Sequence, residues 1–317
     1  MTKTRKTKAL LIAVAVSLLL TGQFVQGQGG QPDGKPRGLA KPVTVPVIIR
    51  VREAKREVEM RFVNFLFIKE DGEEQTLLSI RKASDNPITL AILIQDDLVS
   101  SVSGETRGIA NFVRHLPPGS RVMIGYIRAG TLDVRRKFTT DLEKAANGLR
   151  APMGLASASP FNPFVEIIEA LRRFDSQPLG RRAIMVVSDG LDVSRGVDSS
   201  SPGQSLDLQR AISDAQRRSV AIYSIYAPSI ASSGSQLGAN GQSSLERLSS
   251  ETGGRAFFEG TGAPVSFDPF LKEIDASISM QIALTYLSTH PDKGFHRLEI
   301  KPLERDVEIR HPSGYPR

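Results

Sequence analysis

Cysteine is absent from this 317-residue chain. That excludes disulfides, thiolate zinc sites, iron–sulfur clusters, thiol catalysis and a lipid-modified cysteine. Tryptophan is absent too, and aromatics make up 6% of the residues. Such a chain is poorly supplied for stacking on bases or sugars. Four histidines occur, His115, His290, His296 and His311. None has a close metal-binding spacing such as HExxH, so a histidine-rich metal site is not expected. No G-x-S-x-G elbow and no phosphate-loop lysine is found. Gly234, Gly238 and Gly241 are wrongly spaced for a dinucleotide fingerprint and read as part of a flexible Ser/Gly loop over 230–242. No apolar run reaches the roughly 20 residues of a membrane span.

What is present is an ordinary globular composition, 40% hydrophobic and 24% charged, enough for one α/β domain with an appendage. The formal charge of +7 is concentrated at the start. Residues 1–27 hold Lys3, Arg5, Lys6 and Lys8 and no acid, so the remainder carries 37 basic against 34 acidic residues, a net +3. A charge this small gives no reason to expect a nucleic-acid partner. The basic segment 1–8 followed by the twelve-residue apolar run Ala9–Leu20 reads as a secretory signal peptide over 1–27. The expected location is secreted or periplasmic, with an uncleaved N-terminal anchor as the alternative. Residues 28–42 read as a flexible linker rich in Gly, Pro and charge.

Alternating β-branched residues predict a β segment over 43–87, with a hairpin at Asp71-Gly72. From Pro87 the pattern becomes strand–helix alternation. Apolar runs at 88–95, 121–127, 182–187 and 220–226 predict strands buried on both faces. Helices are expected over 104–116, 141–149, 163–174, 206–218, 245–251 and 264–279. An edge strand is expected near 132–138, and a short strand at 255–258. This is a doubly wound, mostly parallel sheet over 88–279. Strands return at 281–287, 295–300 and 307–310, so 280–317 is a second β segment, expected to pack with the first as one accessory unit because domain ends tend to lie close.

In such a sheet ligands bind beyond the carboxyl ends of the central strands. Two of these strands deliver acids there, in Asp96-Asp97-Leu98-Val99-Ser100-Ser101 and Ser188-Asp189-Gly190-Leu191-Asp192. Oxygen donors gathered this way suit Mg²⁺ or Mn²⁺, and the alternative is that these acids are turn and capping residues. Phe161 and Phe164, near the same edge, read as core packing.

The order of elements and the phrase Ser188-Asp189-Gly190 resemble a von Willebrand factor type A domain. The whole chain over 43–317 resembles the exported proteins of that kind first grouped from Acidobacteria, through Glu70-Asp71-Gly72, Thr252-Gly253-Gly254 and Arg310-His311-Pro312-Ser313-Gly314-Tyr315. The resemblance implies a metal-ion-dependent adhesion site built from Asp-x-Ser-x-Ser, a Thr in a later loop, and the Asp of Ser-Asp-Gly. It also implies that the ion leaves one position open for an acidic side chain of a partner protein. Here the motif is degenerate. Aligned on Asp96, the first Ser falls on Leu98 and Ser100 remains. Aligned on Asp97, it falls on Val99 and Ser101 remains. Either aliphatic residue is expected to point where a hydroxyl would ligate. Ser159 or Asn162 stands where the Thr would be. The expected metal set is thus Asp96, Asp97, Ser100, Ser101, Ser159 and Asp189, binding Mg²⁺ or Mn²⁺ weakly. The functional expectation is an exported, non-catalytic protein-binding module. A Mg²⁺-dependent phosphoryl-transfer enzyme and a structural protein of the cell envelope are the alternatives.

Overall fold

The computed structural model describes residues 40–51, 66–82, 86–197, 200–229, 235–302 and 307–317. The segment 1–27 read as a signal peptide and nearly all of the expected linker 28–42 lie outside them. Linker residues Lys41 and Pro42 already belong to β1 (Lys41–Val51).

The centre is a six-stranded sheet in the order β10-β9-β8-β5-β6-β7. Its strands are β5 (Thr89–Gln95), β6 (Arg121–Arg128), β7 (Thr131–Thr139), β8 (Arg182–Ser188), β9 (Ala221–Tyr226) and β10 (Ala256–Phe257). All pair in parallel except β7, which closes one edge antiparallel to β6. The four apolar runs therefore sit side by side as the doubly wound reading requires. Alternate residues feed opposite faces. Leu90, Ile92 and Ile94 of β5 join one core with α1 (Val102–Arg114), α2 (Leu142–Ala146) and α6 (Asp268–Met280). Ala91 and Leu93 join the other, with α3 (Pro163–Arg172) and α4 (Leu206–Arg217).

One helix was read wrongly. The Ser/Gly stretch is α5 (Ser235–Glu251) from residue 235 onward, and 230–234 lie outside the described residues. Its glycines mark close approach rather than freedom. A Cβ on Gly241 would stand 1.9 Å from the Asp189 carbonyl oxygen, so only glycine lets this helix lie against the end of β8.

The flanking segments form two four-stranded antiparallel sheets, β13-β1-β11-β4 and β14-β12-β2-β3. Here β2 is Leu66–Glu70, β3 Glu73–Glu74, β4 Thr76–Arg81, β11 Gln281–Ser288, β12 Phe295–Pro302, β13 Val307–Arg310 and β14 Gly314–Pro316. The two chain ends interleave: β1 lies between β11 and β13, and β12 pairs with β2. Val43, Val45, Val47, Ile68, Leu284 and Ile300 fill one shared core. Ile48 belongs instead to the α/β core, so β1 serves both. At the β2–β3 hairpin, Asp71 and Gly72 both have positive φ, 51° and 87°, the backbone that an Asp-Gly turn supplies.

This hairpin meets two histidines from the distant C-terminal segment. His296 Nδ1 lies 2.7 Å from Asp71 Oδ2, and its Nε2 lies 3.0 Å from the Asp292 carbonyl. Both contacts are hydrogen bonds only when both ring nitrogens carry protons. Burial opposes that charge, but Asp292, Asp71 and Glu70 outweigh it and raise the His296 pKa. His290 stands 3.8 Å from Glu70, whose side chain is fully buried. His296 thus fastens the N-terminal hairpin to the C-terminal strands. Among the described residues no group of three or more His, Asp and Glu side chains could hold a metal ion, and no helix is long and apolar enough to cross a membrane.

Candidate functional site: the cleft at the carboxyl edge

β5 and β8 are adjacent and in register, Ile94 beside Val187, so their following residues emerge at one edge. The adjacent acids Asp96 and Asp97 have different fates. Asp96 is fully buried and bound by guanidinium. Arg150 donates to both its oxygens, at 2.6 and 2.8 Å, Arg128 Nε lies 3.3 Å away, and the Met153 amide donates at 3.0 Å. Tyr126 backs Arg150, its ring 3.9 Å below the guanidinium. Burial alone would raise the Asp96 pKa, but these donors and charges hold it below the usual carboxylate range. Asp96 therefore leaves the expected metal set. It anchors the loop that begins at Arg150, whose Gly154 amide also donates to the Asp96 carbonyl.

Asp97 turns toward β8. Its Oδ1 accepts from Gln95 Nε2 at 2.8 Å, and its buried Oδ2 has no hydrogen-bond partner among the described residues. Burial raises its pKa, partly offset by Gln95 and Ser159. Gln95 is the residue that the sequence reading missed. Its Oε1 accepts from Ser188 Oγ at 2.5 Å and from the Asp189 amide at 3.2 Å. One side chain thus ties the ends of β5 and β8 together. The visible signal was a polar amide closing an otherwise apolar buried strand. Asp189 Oδ1 accepts from the Leu191 amide at 3.1 Å. Burial pushes the Asp189 pKa up to about 6; hydrogen bonds from Ser229 and Leu191 oppose this, and the charge of Asp97 adds to it.

The other expected ligands scatter. Ser100 and Ser101 are exposed in the turn before α1. Leu98 is fully buried in the core and Val99 packs against it, so neither points into a ligand position; Leu98 instead forms a bridge with Ser229. Asn162 caps α3 through the Phe164 amide at 3.1 Å and donates to Asp207 at 2.8 Å. Asp192 accepts from Ser194 and from Ser205, the N-cap of α4. Ser159 does stay, beside Asp97.

A cleft of about 150 Å³ opens here, lined by Gln95, Ser159, Asp189 and Ser229, with Phe161 and Val197 at its mouth. Phe161 is 67% exposed and Val197 57%, against the core role expected for Phe161; Phe164 is fully buried as expected.

The donor set does not fit a divalent ion of the implied kind. One of the two acids after β5 is consumed by arginine, the Gln95 amide occupies Asp97 Oδ1, and the two motif serines face solvent. Mg²⁺ requires near-octahedral oxygen coordination, which Asp97, Asp189 and Ser159 do not assemble.

Fold and site together define a doubly wound α/β protein with a cleft at the carboxyl edge of its sheet, apolar over most of its lining with Gln95, Ser159, Asp189 and Ser229 as its polar groups. No protein-family model matches the chain, and no curated protein matches it. Among solved structures it is similar to the conserved hypothetical protein BatB from Bacteroides thetaiotaomicron, at 16% identity over 60% of this chain and 97% of that one, TM-score 0.43. It is similar to an aerotolerance-related membrane protein from Bacteroides fragilis, at 14% identity over 60% and 98%, TM-score 0.40. It is also similar to the SpRpn10 VWA domain, at 13% identity over 59% and 95%, TM-score 0.41.

Proposed function

We propose that this chain is an exported, non-catalytic protein-binding module that recognises its partner at the carboxyl-edge cleft without a resident divalent ion. The observation that carries this reading is the cleft itself, a small polar floor ringed by exposed Phe161 and Val197. A mostly apolar cleft with a few placed polar groups is the usual anatomy of a ligand pocket, and exposed apolar residues gathered at one place mark interaction sites. None of the ten lining residues is His, Lys or Tyr, so the cleft holds no Ser–His or Ser–Lys nucleophile pair. The phosphoryl-transfer alternative needs acids free to hold Mg²⁺, and Asp96 is held by Arg150. Export rests on the basic segment 1–8 and the apolar run 9–20.

The test is photo-crosslinking in cells of the natural host, with p-benzoylphenylalanine at Phe161 or at Leu179. Leu179 is 65% exposed and precedes β8, at the opposite edge. The expected result is a discrete crosslinked product from position 161, suppressed by excess unlabelled protein and absent from position 179. No product, or equal products from both positions, contradicts the reading.

A further inference from the structure

We propose that the cleft takes a basic side chain of the partner, a lysine, on its Asp189 carboxylate, reversing the metal-bridged acidic ligand that the family resemblance implies. This rests on the reading of the cleft as a partner-binding site and specifies its ligand. The charges make the case. Asp189 lines the cleft, and Asp97 lies behind Gln95 and Ser159, fully buried, with Oδ2 unpartnered among the described residues. The nearby cations Arg128 and Arg150 are both spent on Asp96, and no lining residue is basic. An acidic ligand entering without a metal would meet the Asp189 carboxylate with no cation in the lining to offset it. An ammonium entering there supplies the missing positive charge together with three donors.

Size and walls select lysine. The cleft volume of about 150 Å³ is about five times the ~30 Å³ share of one water, the scale of the five heavy atoms of a lysine side chain. A guanidinium with its stem is larger and planar. Val193, Val197 and Leu237 offer aliphatic contact to the stem. Phe161 at the mouth adds apolar contact to the stem.

The probes are Nα-acetyl-lysine-N-methylamide, the isosteric uncharged norleucine derivative, and the glutamate derivative with and without Mg²⁺. Each is titrated into the ¹⁵N-labelled mature chain and followed by amide shifts. The expected result is saturable binding of the lysine derivative, with shifts centred on Ser159, Asp189 and Ser229. The norleucine derivative is expected to bind at least tenfold more weakly. Asp189→Asn, close in shape, is expected to weaken the lysine derivative at least tenfold while the rest of its spectrum stays folded. Absence of saturable shifts, equal binding of norleucine, or binding of the glutamate derivative with Mg²⁺ overturns the proposal. Failure here with a specific crosslink at position 161 removes only the ligand assignment. Failure of both removes the binding reading itself.

Discussion

Replacing Arg150 with methionine is expected to cost about 3–5 kcal/mol of unfolding free energy at neutral pH. This is the penalty for leaving a buried charge without its partner. Asp96 is fully buried, and Arg150 makes two of the donor contacts to its oxygens. Arg128, 3.3 Å away and itself 38% exposed, cannot replace a bidentate fork. Arg150→Lys is expected to recover only part of the loss, since a lysine provides a point charge and no planar pair of donors. The pH dependence has a definite sign. The folded-state pKa of Asp96 is depressed, so its contribution is present above its unfolded value of about 3.9 and is lost as pH falls through the folded value. Urea unfolding at pH 7 and pH 3 should therefore show the two proteins closer in stability at the lower pH. A loss under about 1 kcal/mol at pH 7 would mean that Arg150 is an ordinary surface pair.

Arg181→Met is expected to be comparably damaging for a different reason. Arg181 is 1% exposed and has no carboxylate partner among the described contacts. Its guanidinium donates to three backbone carbonyls: Gln281 at 2.7 Å, Asn86 at 2.9 Å, and Ile278. These are the last turn of α6, the start of β11 and the lead-in to β5. Burial lowers its pKa to about 10, so it remains charged at neutral pH, beside the negative end of the α6 dipole. Methionine fills the space and takes a donor from all three carbonyls; the Ile278 carbonyl keeps the Gln281 amide, and each carbonyl left unsatisfied costs about 1–3 kcal/mol. The expected loss is at least about 2 kcal/mol. Because the site joins the β sandwich to the α/β core, amide exchange at residues 278–284 should accelerate more than in β5. Uniform acceleration would deny Arg181 this joining role.

The architecture was legible in the sequence because it depends on local pattern. All seven residues of β5 and of β8 are buried, and their apolar runs say so directly. Asp71-Gly72 declared its turn for the same reason. The α5 helix was hidden because Gly238 and Gly241 look like loop formers. Their purpose, an approach to Tyr226 and to the Asp189 carbonyl, exists only in three dimensions. The site was half legible. The strand-end acids and Ser159 did come to one edge. No local pattern distinguishes Asp96 from Asp97, however, since the distinction is made by Arg150, 54 positions away. Leu98 went to the core rather than to a ligand position because a buried leucine satisfies the hydrophobic term that an exposed cleft does not. The histidine fastening was likewise invisible, as Asp71 and His296 are 225 positions apart.

The central claim is that the carboxyl-edge site is built by Gln95 and Arg150 and not by a divalent ion. Titration calorimetry of the EDTA-treated chain with Mg²⁺, beside Asp189→Asn, tests it most directly. The account predicts no saturable binding tighter than the order of millimolar, as expected for so short a donor set, and no difference between the two proteins. Saturable binding of one Mg²⁺ per chain well below that concentration, abolished by Asp189→Asn, would contradict it.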